Sequence, residues 1–162
     1  MIWSIVYIAA VLIANYTAVW FVPLPVFGLV AVGTLVFGAT FTARDYVHRL
    51  GRNRVYLMIL ISALASAGLS LAGQVEWRIV VASVLAIILG ETADTEVYQR
   101  LIKRQWWVRV LGSNAVSIPL DSLLFNIIAF AGVFPASMLV AIVFGEIVVK
   151  FLVGLMVGLW RK

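Results

Sequence analysis

The chain has 162 residues, of which 64% are hydrophobic and 12% charged, with a formal net charge of +5 and no cysteine. A water-soluble domain of this size could not carry that composition on its surface, so lipid is the expected solvent. The lack of cysteine excludes a disulfide framework, a thiol nucleophile and a Cys-based metal site, and redox chemistry says nothing about the compartment. The basic balance does not point to nucleic acid, because the Lys and Arg residues cluster against the ends of apolar segments with no soluble fold to present them.

Apolar runs near residues 4–20, 26–43, 55–72, 79–97, 110–131 and 136–159 each approach or exceed the roughly 20 residues that cross a ~30 Å hydrocarbon core. They predict an all-α bundle of six transmembrane helices in a single transmembrane domain over 1–162, with no room for a soluble catalytic domain. The six Trp residues, Trp3, Trp20, Trp77, Trp106, Trp107 and Trp160, fall at the predicted span ends, where an amphipathic ring sits at headgroup level. No Lys or Arg precedes Arg44, so the basic region of a secretory signal is missing and the first segment is expected to stay as helix one.

Arg44, Arg49, Arg52 and Arg54 fall in the second connection, Arg100, Lys103, Arg104 and Arg109 in the fourth, and Arg161 and Lys162 at the end, while the opposite loops hold only Arg78. The excess of basic residues on one side predicts that both termini are cytoplasmic, in a multi-pass protein of the cytoplasmic (inner) membrane. In the second connection, Arg44 and Asp45 read as an ordinary exposed pair, and His48 reads as part of a basic loop.

Segment three places Ser62, Ser66 and Ser70 on one stripe of small side chains, as expected of a packing helix. Segment four carries Glu91, Asp94 and Glu96, and the first two share a helical face with Tyr98. Carboxylates inside a bilayer cost roughly 2.5–3.5 kcal/mol each, so that face requires a partner, a proton, water or a ligand. Glu96 points away from it. Segment five gathers Ser113, Asn114, Ser117 and Asp121 on one face around Pro119, whose missing N–H frees a carbonyl near Ala115 and predicts a kink. In segment six, Glu146 and Lys150 stand at i and i+4, consistent with an internal salt bridge. Lys150 is too deep to snorkel and is expected to neutralise Asp94 or Asp121 across the bundle. Gly154 and Gly158 repeat a small-residue spacing that serves internal packing or a homodimer contact.

There is no phosphate-cradling Gly loop, His–carboxylate metal spacing or nucleophile elbow, so neither an enzyme nor a resident cofactor is expected. The pattern fits a small membrane transporter or a membrane substrate-binding subunit whose site is built from carboxylates, amides and hydroxyls.

Four stretches together resemble the queuosine-precursor transporter family, also called the vitamin uptake transporter family, in its short branch. They are Phe41-Thr42-Ala43-Arg44-Asp45 through Leu50-Gly51; Ala82-Ser83 through Gly90, Asp94 and Tyr98; Ser113-Asn114 through Asp121-Ser122 and Phe125; and Lys150. The resemblance covers roughly residues 10–155. It implies six membrane helices, an architecture similar to the vitamin-binding subunits of energy-coupling-factor importers, and import of 7-deazaguanine precursors of the tRNA base queuosine. It also raises Asp45 from a loop residue to a candidate. Glu91 stands where other members carry an amide, which makes Asp94 the firmer ligand candidate.

The substrate-binding candidates are then Asp45, Glu91, Asp94, Tyr98, Asn114, Ser117, Asp121, Ser122, Phe125 and Lys150. A guanine-like edge offers adjacent N–H and NH₂ donors that Asp94 or Asp121 can accept, and Asn114 or Lys150 can donate to its carbonyl. Phe41, Tyr46, Tyr98 or Phe125 can stack on the ring. The leading reading is a carrier acting through its own bundle, with a proton available for coupling at Glu91, Asp94 or Asp121. The alternative is a capture subunit that needs a separate energising module.

Overall fold

In the computed structural model, α1 spans Ile2–Tyr16, β1 Phe21–Leu24, β2 Gly28–Ala31, α2 Gly33–His48, α3 Arg52–Ala72, α4 Trp77–Arg100, α5 Trp106–Phe130 and α6 Ala136–Trp160. The structure describes residues 2–25, 28–48 and 50–160, without the side chains of 37–39, 41, 42, 45 and 157–160. The side chains of Phe41, Asp45 and Trp160, and the small-residue contact at Gly158, thus lie outside the described residues, as do Arg49, Arg161 and Lys162.

Gly and Pro, more than the ends of the apolar runs, determine where the helices begin and end. Pro23 and Pro25 cannot donate to a helical ladder, and the stretch expected to open a helix at residue 26 forms a hairpin instead. β1 and β2 pair antiparallel, with Phe21 opposite Ala31 and Leu24 opposite Gly28. Gly28 takes a positive φ of 74° at the turn, a conformation that favours glycine. The fold is mainly helical, as an all-α membrane protein requires, but the helix expected over 26–43 is corrected: its first residues belong to the hairpin. α2 starts only at Gly33 and continues past residue 43, because nothing stops it until the Leu50-Gly51 turn, where Gly51 has φ 112°.

α1 stops four residues before its expected end at residue 20. Asn15 Nδ2 donates back to the Val11 carbonyl at 2.9 Å and Thr17 Oγ1 to that of Ile13 at 2.7 Å, the local side-chain bonding that competes with helix continuation. α4 runs on to Arg100, α5 starts at Trp106 and passes through Pro119 without a break. By length and composition, α3, α5 and residues Ala136–Met156 of α6 can each cross a membrane, and α1 is a shorter apolar helix. α4 is equally long but carries Arg78, Glu91, Asp94, Glu96 and Arg100.

Short connections make successive helices antiparallel. One end of the bundle holds the hairpin and the turns after α3 and α5. There Phe21 meets the Phe130 and Phe134 rings edge-on at 5.8 and 6.3 Å, and Arg78 Nη2 donates to the Ala131 carbonyl at 2.8 Å. The opposite end holds the α2–α3 and α4–α5 turns with their basic residues, and there Arg52 and Tyr56 of α3 bind Glu96 of α4. One apolar cluster joins α1, α2, α3 and α4 through Tyr7, Val11, Val47, Val55, Met58 and Ile87. A second joins α4 and α5 through Ala82, Ala86, Phe125 and Phe130, with Phe21 packed on it.

Two glycines let neighbouring helices approach closely. A Cβ on Gly90 of α4 would come within 3.1 Å of the Asp121 Cβ on α5. A Cβ on Gly33 would lie 2.1 Å from the Ala14 carbonyl oxygen, a backbone atom that cannot yield without moving α1. Gly33→Ala is therefore expected to cost about 1–3 kcal/mol. A fall in the thermal unfolding midpoint in detergent micelles would report it, and an unchanged midpoint would mean that α1 and α2 pack less closely than this.

Candidate functional site

Six ionisable side chains meet in the middle of the bundle. On one side, the Arg44 guanidinium from α2 reaches across to α4, with Nη1 at 2.8 Å from Glu91 Oε2 and Nη2 at 2.8 Å from Asp94 Oδ2. Ser117 Oγ of α5 donates to the other Asp94 oxygen at 2.7 Å. On the other side, Lys150 Nζ from α6 lies 2.7 Å from Asp121 Oδ2 and 3.4 Å from Glu146 Oε2, and donates to Ser122 Oγ at 2.9 Å. Asn126 Nδ2 donates to Glu146 Oε2 at 3.1 Å. Among the described residues, each cation is thus shared by two carboxylates. The planar guanidinium fork suits the first arrangement and the compact ammonium the second.

A cleft of about 630 Å³, open mouth included, is lined by members of both triads. Glu91, Asp121, Glu146 and Lys150 form its polar wall and Phe125, Ile87 and Val11 its apolar one. Ala14, Asn15, Ala31, Gly33 and Thr34 line it as well, which places it in the half of the bundle nearest the hairpin. A smaller recess of about 190 Å³ between Arg44, Gly90, Glu91, Ser117 and Asp121 connects the two charge clusters. Asp121 is the most open of the four carboxylates, its side chain 23% exposed against 10% for Glu91, 3% for Glu146 and 0% for Asp94.

Toward the basic end, aromatic and basic side chains pack together. His48 stacks on Tyr98 with ring centroids 4.6 Å apart, and the Arg109 guanidinium lies 5.2 Å from the same ring. His48 is the buried last residue of α2, not a loop residue as its basic neighbours implied. Arg44 also departs from the sequence reading. It is 2% exposed inside the bundle rather than in an exposed loop, because α2 extends a full turn beyond the apolar run.

Of the ten candidates, Glu91, Asp121, Phe125 and Lys150 line the cleft. Asp94, Ser117 and Ser122 stand behind that wall as partners of the charged groups. Tyr98 and Asn114 are buried but do not line the cleft, and the Tyr98 ring is already covered on the basic side. The Tyr46 ring is likewise stacked on Trp3 at 4.2 Å, so Phe125 is the described aromatic candidate that the cleft presents. Sequence reasoning missed Arg44, Glu146 and Asn126. Glu146 had a signal of its own, as a carboxylate in the middle of a 25-residue apolar helix, but the i, i+4 lysine seemed to account for it. Asn126 continues the Ser122 face by one turn.

The family model described as putative vitamin uptake transporter matches residues 55–160. A protein of Bacillus subtilis (strain 168) named probable queuosine precursor transporter is 35% identical over 83 residues, which cover 48% of this chain and 36% of that protein. The chain thus spans about a third of the length of that curated relative. No solved structure matches. Arg44 lies ahead of the stretch matched by the family model, while the other five charged residues of the site fall inside it.

Proposed function

The chain belongs to the vitamin uptake transporter family, a family of membrane transporters and not of enzymes, and on that premise we propose that it carries queuosine precursors of the 7-deazaguanine class into the cell across the cytoplasmic membrane. The six helices would form one multi-pass transmembrane domain with its basic end in the cytoplasm and its cleft opening to the outside. The observation that carries this reading is the partly open carboxylate of Asp121 on the cleft wall, with Phe125 one helical turn along the same face.

A 7-deazaguanine presents a ring N–H beside an NH₂ group, a donor pair that a carboxylate accepts along one edge. Asp121 takes that edge, and Phe125 covers the ring face. The Lys150 ammonium, already on Asp121 and Ser122, stands within reach of the ring carbonyl. Glu91, on the same polar wall and bound to Arg44, faces the 7-substituent, where an aminomethyl cation would find a carboxylate and a neutral cyano group would not.

The test is uptake of labelled 7-aminomethyl- and 7-cyano-7-deazaguanine into liposomes that contain only this protein, with guanine as competitor. Saturable accumulation is expected, with the aminomethyl compound preferred. Asp121→Asn should weaken binding by roughly 10- to 100-fold, the loss that follows when a charge-assisted hydrogen bond of about 1.5–3 kcal/mol is removed. Binding without uptake would instead make the protein a capture subunit for a separate energising module. Neither binding nor uptake by folded protein would overturn the substrate class.

A further inference from the structure

The two triads leave an unbalanced charge in the bundle. Arg44 and Lys150 face Glu91, Asp94, Asp121 and Glu146, so each cation with its two carboxylates carries one net negative charge when all are ionised. Buried ions are tolerated when paired, and an uncompensated charge in an apolar bundle is costly. Each triad therefore has a place for one added positive charge. In the Asp121 triad, Asp121 holds Lys150 at the short distance of 2.7 Å and is open to the cleft, whereas Glu146 lies at 3.4 Å and is 3% exposed. Asp121 is thus the carboxylate that the lysine compensates more closely, and Glu146 is the one that it leaves undercompensated.

A second observation falls on the same residue. Asn126 is 0% exposed and uses its Nδ2 twice, toward the Ser122 carbonyl at 2.9 Å and toward Glu146 at 3.1 Å, while its Oδ1 is buried without a hydrogen-bond donor. A buried acceptor left unmade costs about 1–3 kcal/mol, and such a group calls for an explanation. An ionised Glu146 has no donor to offer it. A protonated Glu146 carries a hydroxyl beside the same carboxamide.

We propose that Glu146 is a proton site of the carrier: its carboxylate binds one proton from the cleft side, completes the Lys150–Asp121 pair as a neutral assembly with Asn126 as its neighbour, and releases the proton on the opposite side of the membrane as substrate crosses. The charged groups facing Glu146 are Lys150 on its own helix and Asp121 on α5. β2, which also packs on α6, has no ionisable residue, Arg44 of α2 is engaged with Glu91 and Asp94, and Glu91 of α4 shares the cleft wall. The coupling half of this proposal rests on the transport reading above, and the proton site itself does not.

Infrared difference spectra of the full chain in lipid, recorded between neutral and alkaline buffer, test the site without substrate. A protonated-carboxyl band is expected at neutral pH that is lost in Glu146→Gln. Its absence in the wild type, or its survival in the variant, overturns the proton site. In proteoliposomes, an acid-outside gradient should raise wild-type uptake of 7-aminomethyl-7-deazaguanine several-fold over uptake at equal pH, and in Glu146→Gln that ratio should fall to one whatever its absolute rate. A wild-type ratio of one with the band present overturns coupling. A protein that shows the band, loses it in Glu146→Gln, and moves no deazaguanine keeps the proton site and removes the substrate reading instead.

Discussion

Arg44→Met is expected to destabilise the protein by about 3–5 kcal/mol, the range found when one partner of a buried ion pair is removed and its counter-charge stays behind. The size of the effect follows from geometry. Arg44 is 2% exposed and bridges two helices' worth of structure, with one guanidinium nitrogen 2.8 Å from Glu91 and another 2.8 Å from Asp94. Without it, two carboxylates on one face of α4 lose their described cation, and Asp94, 0% exposed, has no solvent contact to replace it. Arg44→Lys should fall between the wild type and the Met variant, because a single ammonium cannot span both oxygens that the planar fork reaches. The triple variant Arg44→Met, Glu91→Gln, Asp94→Asn should recover much of the loss by removing the stranded charges. Thermal unfolding in detergent micelles measures all three. A Met variant as stable as the wild type would show that Arg44 does not hold α2 to α4.

What could be read from the sequence was the chemistry of the bundle interior more than the place where each helix stops. The stripes on α4 and α5 followed from helical spacing alone: Asp94 and Ser117, predicted on different helices, come within 2.7 Å of each other. Lys150 was expected to cross the bundle to Asp94 or Asp121, and it reaches Asp121. Glu96 was expected to point elsewhere, and it faces Arg52 and Tyr56. Arg44 was misplaced because the helix was ended where hydrophobicity fell and not where a stop signal stands. A helix that pairs its charges internally continues through them, and the first breaker here is Gly51. The hairpin was hidden for a related reason: Pro23 and Pro25 fall between two predicted spans and read as an ordinary loop, while Gly28–Ala31, which pair with that stretch, read as the start of the next apolar helix. Asn126 carried no charge to draw attention. Its role shows only when the bundle brings Glu146 beside it and leaves its own oxygen without a donor.

Lys150→Met is the second large effect, and the way it is rescued tells the two carboxylates apart. The expected loss is about 3 kcal/mol, at the low end of the range for a broken buried pair because Asp121 is partly open to the cleft. If both Asp121 and Glu146 were ionised, losing the lysine would strand two negative charges, and neutralising either one would help to a similar degree. If Glu146 already carries a proton, Lys150→Met strands only Asp121. Adding Asp121→Asn should then restore most of the stability, while adding Glu146→Gln should restore little, since it replaces a neutral acid with a neutral amide. Unfolding midpoints of the two double variants, measured at neutral pH beside the single one, make the comparison. Equal rescue would place a full negative charge on Glu146 and overturn the proton assigned to it, and a clear advantage for Asp121→Asn would support it through stability alone, with no substrate in the experiment.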